Sequence, residues 1–369
     1  MKVLLAGGGT GGHINPAISI ANFMKERDKN FEALFVGTKR GLEKKLVPNA
    51  GYNIEYIDIR GFDRKNPFRN IVVIEKLIKS KHDCVKLLKS FKPDAVVCTG
   101  GYVSGPVIIA AHKLGIPSLI HEQNVYPGLT VKGAEKYVDY VAVSFPETAN
   151  HMKDREKCVV TGNPIREELL RTDAAAAREK LGLSKKPFVL VFGGSLGAQK
   201  LNDAMVEVIK KLGRQSPVQM LFGTGERNYE QVLGQLGGTE IAEDIKIVPY
   251  INNMNEVMAA ADLVVSRSGA ITLSEIAALG KPSVLIPSPN VVRNHQEQNA
   301  REFERVGGAA VVLEKDMSGD VIYDKIISMT GDMNKLKKMS ENVGTLAKTN
   351  ALEELYALIV KMSKKHGRG

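Results

Sequence analysis

The sequence predicts an α/β protein of two doubly wound domains, and three observations carry the prediction. Short apolar strands alternate with helical segments from the first residues onward, and the alternation restarts near residue 188. Each half also opens with a strand that runs straight into a glycine-rich turn, 7–12 in the first and 193–198 in the second. Short, continuously apolar strands joined by helices imply parallel sheets covered on both faces. The 369 residues, 43% hydrophobic and 25% charged, suffice for two such cores.

In the first half, strands are expected at 3–6, 33–36, 95–98, 118–120, 140–143 and 158–160, all runs of Val, Leu, Ile, Ala or Tyr with few polar interruptions. The helix after the first glycine turn is expected to begin at the Asn15-Pro16 cap and to end at Arg27. Thr161-Gly162-Asn163-Pro164 is a turn sequence, so the first domain is set at 1–162 and the second at 163–347. An Ala-rich helix, 174–181, opens the second half. Strands follow at 188–192, 220–222, 245–248, 262–266 and 284–286, with a short amphipathic helix at 254–261. At the end of the chain, Leu352, Leu355, Ile359 and Met362 recur with helical spacing and need a surface to cover. The helix 348–369 is expected to pack back on the first domain, with Lys364-Lys365-His366 in solvent.

Composition removes several classes. Apolar runs such as 107–111 fall far below the roughly 18 residues that span a bilayer, and Met1-Lys2 leads into a strand rather than a signal peptide, which places the protein inside the cell. Three widely spaced cysteines offer neither a disulfide framework nor a zinc site. The net charge of +10 is concentrated: between Arg60 and Lys92 stand ten Lys or Arg against Asp63, Glu75 and Asp83. Apolar residues interleave with them across 62–88, a pattern that suits either anionic lipid headgroups or a solvated helix face. Nucleic acid is not expected, because no stacking aromatics accompany the basic residues.

The chemistry is expected in the loops at strand ends. In Ser266-Arg267-Ser268-Gly269-Ala270-Ile271-Thr272-Leu273-Ser274-Glu275, a small-residue loop opens a helix, so free N–H groups and the positive helix end accompany a carboxylate one turn inside. That combination suits a nucleotide-sugar. Gly7 to Gly12 formally satisfies a dinucleotide fingerprint, but the second strand ends Val36-Gly37-Thr38 with no acidic residue for a ribose, which argues against NAD. His13 directly after the glycines is placed either to move a proton or to serve the helix start. In 193–198 the N–H groups and the Ser195 hydroxyl are suited to phosphate oxygens, and Arg166 at the domain boundary can add a fixed charge to a leaving diphosphate. No Walker lysine follows either loop, which disfavours triphosphate hydrolysis. His121-Glu122-Gln123-Asn124 crowds four polar groups at one strand end beside Gly100-Gly101-Tyr102, so they either satisfy one another or line a ligand site. Asn294 to Asn299 supplies amides able to read sugar hydroxyls, or forms a surface loop.

Seven motifs in order resemble the MurG family of UDP-N-acetylglucosamine transferases: GGGTGGHINPA at 7–17, GGYVSGP at 100–106, HEQNVYPGLTVK at 121–132, GNPIR at 162–166, GGSLGAQKLN at 193–202, SRSGAITLSEIAALGKP at 266–282 and NHQEQNA at 294–300. His295 departs from a glutamine carried by some members. The resemblance implies the GT-B fold, two Rossmann-like domains facing a central cleft, with the acceptor mainly on the first and the donor mainly on the second. It implies inverting, metal-independent transfer of GlcNAc from UDP-GlcNAc to the MurNAc 4-hydroxyl of undecaprenyl-diphosphoryl-MurNAc-pentapeptide (lipid I), giving lipid II. His13 would be the general base. The donor would meet Thr10, Gly11, Gly12, Asn124, Arg166, Ser195, Ile251, Ala270, Ile271, Thr272, Leu273, Ser274, Glu275 and Gln296, with Glu275 on the ribose. The acceptor diphosphate would meet Gly8, Gly9, Thr10, Gly11, Gly12, Gly101 and Tyr102. No cofactor or metal is implied. A peripheral place on the cytoplasmic face of the membrane, through 62–88, and cell-wall synthesis proteins as partners complete the expectation. A UDP-GlcNAc 2-epimerase, a non-catalytic UDP-sugar sensor and a diacylglycerol glycosyltransferase are the rival readings.

Overall fold

The computed structural model describes residues 1–60, 70–194, 197–291 and 294–366. The chain divides into two compact units, Met1–Ile165 with Asn350–Gly369, and Arg166–Thr349. In the first unit, β1 (Lys2–Gly7), β2 (Glu32–Gly37), β3 (Asn53–Tyr56), β4 (Ala95–Gly100), β5 (Ser118–Glu122), β6 (Tyr140–Val143) and β7 (Cys158–Val160) form one parallel sheet, ordered β3-β2-β1-β4-β5-β6-β7. In the second, β8 (Phe188–Phe192), β9 (Gln219–Gly223), β10 (Ile245–Val248), β11 (Leu263–Ser266), β12 (Ser283–Leu285) and β13 (Ala309–Val311) form another, ordered β10-β9-β8-β11-β12-β13. Each order reverses once, between β1 and β4 and between β8 and β11. Connections diverge at such a reversal and leave an opening beyond the carboxyl ends of the two strands, where open α/β sheets bind ligands. The loops after β1, β4, β8 and β11 are the Gly-rich and small-residue segments singled out in the sequence.

The period-two alternation of the strands sorts side chains between two layers. Val3 and Leu5 of β1 pack with Ile14, Ala17, Ile20 and Phe23 of helix Gly11–Arg27, while Leu4 and Ala6 pack on the other face with Val107 and Ile108 of helix Ser104–Lys113. The helix Ala351–His366 joins the first layer: Leu355 and Ile359 are fully buried there, and Tyr356 meets Phe23 edge-on at 6.0 Å. In the second unit, helix Gln199–Leu212 buries Leu201, Met205, Val208, Ile209 and Leu212 against Val189 and Val191 of β8.

Three details differ from the expectation. The strands β3 and β13 were not foreseen, and both lie at sheet edges. In β3, Asn53 and Glu55 are exposed beside the partly buried Ile54 and Tyr56, so it lacks the continuous apolar run of a central strand. β13 has only three residues. The third is the start of the first helix, at Gly11 rather than Pro16, because the Thr10 carbonyl already accepts from His13 N at 3.1 Å and Ile14 N at 3.2 Å. His13 therefore sits inside the first helical turn.

Removing the buried contacts of the last helix is expected to destabilise the first unit strongly. Leu355→Ala or Ile359→Ala should each cost about 2–5 kcal/mol in urea unfolding, and a loss below about 1 kcal/mol would show that the helix is dispensable to that core.

Candidate functional site

The carboxyl end of the first sheet is organised around His13. Its Nδ1 lies 3.0 Å from the Thr99 carbonyl oxygen and 3.0 Å from Gln123 Oε1. The Thr99 hydroxyl in turn donates to the His13 carbonyl at 2.6 Å. The Gln123 amide donates to the Thr99 carbonyl at 2.8 Å and to His121 Nδ1 at 3.0 Å, while His121 Nε2 lies 2.9 Å from the Gly162 carbonyl. Thr99, His121 and Gln123 are buried, and His13 is only partly so. A side chain at residue 100 would remove the seat for the imidazole: Gly100 has φ +105°, and a Cβ there would stand 2.8 Å from His13 Nδ1. Burial pushes the His121 imidazole down to about 4, helped by the nearby His13 and opposed by the bond to Gly162.

Two buried carboxylates shape the loops beside it. Glu43 accepts from Thr38 N and Thr38 Oγ1, both at 2.9 Å, and from Gly9 N at 3.1 Å. The Gly8 N–H reaches the Gly100 carbonyl at 3.4 Å, and Gly101 packs so close that a Cβ there would stand 2.3 Å from the Gly8 oxygen. The N–H groups of Gly8 and Gly9 are thus turned inward. Among the described residues, those of Thr10, Gly11 and Gly12 have no protein partner, and no side chain caps the helix they open. The Tyr102 ring lies beside Gly9, 3.3 Å from where a Cβ would stand. Glu122 accepts from Asn124 N and Nδ2, each at 3.0 Å, and from Gly128 N at 2.8 Å, which fixes the turn that carries Asn124.

In the second unit, helix Ala270–Ala278 follows β11 with no side-chain cap, so the N–H groups of Ala270, Ile271 and Thr272 point out of its first turn. The first intrahelical bond is Leu273 N to the Gly269 carbonyl, and the Ser274 hydroxyl is spent on the Ala270 carbonyl. Glu275 is 7% exposed and takes two bonds from Arg166 on one oxygen, Nε at 3.3 Å and Nη2 at 3.1 Å. Its Oε2 remains without a partner among the described residues. Burial raises its carboxyl above the usual range, against the pull of Arg166. The sequence placed these two residues in separate roles, and the structure brings them into contact. Arg267 is turned inward, to Glu314 and the carbonyls of Ile286 and Pro287. Gln296 accepts from Ser288 N at 2.9 Å, leaving its amide nitrogen to donate, and Ile251 is buried against Gly223 at the end of β9. Ser195 lies outside the described residues.

His121 and Gln123 stood in the sequence as either mutually satisfied or lining a ligand site, and the structure bonds them to each other and Gln123 to Thr99 and His13; Thr99 and Glu43 were not singled out. The crowding of polar residues at 121–124 was the available signal for the first two. Nothing in the sequence spacing points to Glu43, whose partners come from the turn after β2 and from the first glycine loop.

The first half of the chain, residues 3–143, matches the glycosyltransferase family 28 N-terminal domain, and residues 188–355 match the family 28 C-terminal domain. A UDP-N-acetylglucosamine–N-acetylmuramyl-(pentapeptide) pyrophosphoryl-undecaprenol N-acetylglucosamine transferase from Acetivibrio thermocellus is 46% identical over 370 residues, covering 100% of both chains. A Bacillus cereus protein of the same name is 43% identical over 99% of this chain and 100% of its own. Among solved structures, Acinetobacter baumannii MurG superposes with a TM-score of 0.79 at 28% identity, over 98% of this chain and 99% of that one. A Listeria monocytogenes structure described as a putative UDP-N-acetylglucosamine 2-epimerase reaches a TM-score of 0.71 at 14% identity, over 99% of this chain and 97% of that one, which is a likeness of fold alone.

The buried His121 makes the first unit sensitive to acid. Its value of about 4 lies below that of an unfolded histidine, so between about pH 6.5 and 4 the unfolded chain binds a proton that the folded one refuses. The associated stability is complete above that window and falls as pH drops through it, by about 3 kcal/mol in all. Urea unfolding at pH 7 and pH 4.5 should show the loss, and His121→Asn should flatten it; an equally steep profile in that variant would assign the acid sensitivity elsewhere.

Proposed function

The chain belongs to glycosyltransferase family 28, and from that premise we propose that it transfers N-acetylglucosamine from UDP-GlcNAc to the MurNAc 4-hydroxyl of undecaprenyl-diphosphoryl-MurNAc-pentapeptide. The observation that carries the reading is the full-length identity to transferases of that name, with no part of the chain left unmatched. The 2-epimerase reading has only a 14% likeness behind it.

The chemistry follows from the groups already described. His13 Nε2 takes the proton of the 4-hydroxyl as its oxygen attacks the anomeric carbon of GlcNAc, and the bond from that carbon to the diphosphate breaks on the opposite side, inverting α to β. The electron pair leaves with UDP, whose negative charge is met by Arg166 and by the open N–H groups at Ala270, Ile271 and Thr272. Ser195 adds a hydroxyl to that diphosphate. Glu275 has one oxygen committed to Arg166 and one open, so it can accept a ribose hydroxyl without releasing the guanidinium. Ile251 borders the uracil, and the Gln296 amide nitrogen together with Asn124 addresses GlcNAc hydroxyls. On the acceptor, the diphosphate is best served by the outward N–H groups of Thr10, Gly11 and Gly12, with Gly8, Gly9, Gly101 and Tyr102 shaping their loop.

Among the described residues no helix is long and apolar enough to cross a membrane. A lipid-linked acceptor instead requires a surface that meets the bilayer, and the helix Asn70–Phe91 provides one. It buries Ser80, Cys84 and Leu88 at helical spacing while Ile78, 67% exposed, stands beside the exposed Lys79, and Lys86 and Lys89 are exposed as well. The preceding residues 62–69, part of the same basic and apolar stretch, lie outside the described residues. On this reading the protein works peripherally, at the cytoplasmic face.

Incubating the protein with labelled UDP-GlcNAc and a lipid I analogue should yield a disaccharide-lipid. In the same assay His13→Ala should abolish turnover with donor affinity nearly kept, and Glu275→Ala should raise the donor KM far more than the acceptor KM. Absence of the product from the unaltered protein would end the proposal, and full activity of His13→Ala would remove that residue from the chemistry. Separately, reversing charge at Lys79 and Lys86 should weaken binding to vesicles containing anionic lipid without altering UDP-GlcNAc affinity. Unchanged vesicle binding would move the membrane contact to another surface.

A further inference from the structure

We propose that Gln123 is a positioning residue that fixes both the orientation and the tautomer of His13, and that His121 and the Gly162 carbonyl complete the device by fixing Gln123. Two oxygens that can only accept stand against His13 Nδ1, the Thr99 carbonyl and Gln123 Oε1, both at 3.0 Å. The proton of the neutral imidazole must therefore sit on Nδ1, and the lone pair is left on Nε2, which has no partner among the described residues. This is the opposite of the tautomer that a free histidine side chain prefers.

The amide cannot be turned the other way. Its Nε2 lies 2.8 Å from the Thr99 carbonyl and 3.1 Å from the His121 carbonyl, so a flip would set oxygen against oxygen at both places. Its third neighbour is His121 Nδ1 at 3.0 Å; facing an amide nitrogen that can only donate, Nδ1 carries no proton, and this puts the His121 proton on Nε2, aimed at the Gly162 carbonyl 2.9 Å away. Each atom in the series from Gly162 to His13 Nδ1 has one role only. Ser144 closes the end: its single hydroxyl proton is shared between the Glu122 carbonyl and Asn163 Oδ1, each at 2.8 Å, and its oxygen, 3.4 Å from His121 Nε2, is left to accept.

The device is uncharged. Of the titratable groups on the neighbouring elements, Glu122 is directed to Asn124 and Gly128, Glu43 to Thr38 and Gly9, and His121 is kept neutral by burial. The inference rests on His13 acting as the base. When Nε2 takes the hydroxyl proton and the new glycosidic bond forms, the Nδ1 proton stays where it was, still held by the Gln123 and Thr99 oxygens, and the imidazolium is stabilised by dipoles rather than by a carboxylate.

The test has two parts. In the full-length protein labelled with ¹⁵N-histidine, the neutral form of His13 should show a protonated Nδ1 and a bare Nε2; the reverse pattern overturns the proposal whatever the role of His13 in catalysis. In turnover assays, Gln123→Leu should lower kcat roughly 10- to 100-fold while the donor KM stays within about twofold. Gln123→Glu keeps an acceptor for Nδ1–H but adds a charge, which should move the acid limb of the kcat profile upward by about one pH unit or more. A residue that merely supported the fold would not move that limb, so an unmoved limb also overturns the proposal. Retained turnover in His13→Ala would count against the base reading instead, leaving the tautomer measurement to judge the positioning claim by itself.

Discussion

The side-chain amide of Gln123 makes hydrogen bonds to the end of β4, to β5 and to the first turn of helix Gly11–Arg27, and the carboxyl end of the first sheet depends on all of them being made together. Parallel strands leave backbone groups unpaired at that end, and in a buried setting each unpaired group costs about 1–3 kcal/mol. The Thr99 carbonyl is one of them. By covering it and turning the remaining hydrogen-bonding capacity toward two imidazoles, Gln123 makes the closure of the sheet and the placement of His13 the same event.

The two units solve the problem of a polar strand end in different ways. In the first, amides, carbonyls and imidazoles satisfy one another, and the carboxylates of Glu43 and Glu122 are committed to loop N–H groups and to the side chains of Thr38 and Asn124. In the second, charge is used directly: Arg166 rests on the buried Glu275, and Arg267 on Glu314. A neutral arrangement holds a proton acceptor without fixing its charge. A charged one is suited to a ligand that brings its own negative charge, because Arg166 is 45% exposed and still has donors to offer.

Much of this was legible in the sequence because it depends on local pattern. Continuous apolar runs marked the central strands of both sheets, and the turn residues between them marked the four loops at the two reversals of strand order. The edge strands β3 and β13 were missed because an edge strand buries less and so carries a weaker hydrophobic signal. The start of the first helix was misplaced because Asn15-Pro16 looks like a cap when the Thr10 carbonyl is not in view. The bonds among His13, Thr99, Gln123 and His121 were beyond reach for a different reason. They join residues some 86 and 110 positions apart, and which groups meet is decided by the register of β4 between β1 and β5 rather than by any local preference. The same holds for Arg166 and Glu275, which are 109 positions apart.

The first unit is discontinuous in sequence, since its core takes Leu355 and Ile359 from beyond the second unit. During synthesis, the face of the sheet that carries helix Gly11–Arg27 therefore stays partly uncovered while the whole of Arg166–Thr349 is being made. The second unit is contiguous and can fold as it emerges. The first cannot complete its core until residues 351–366 have also been made, after the whole of the second unit.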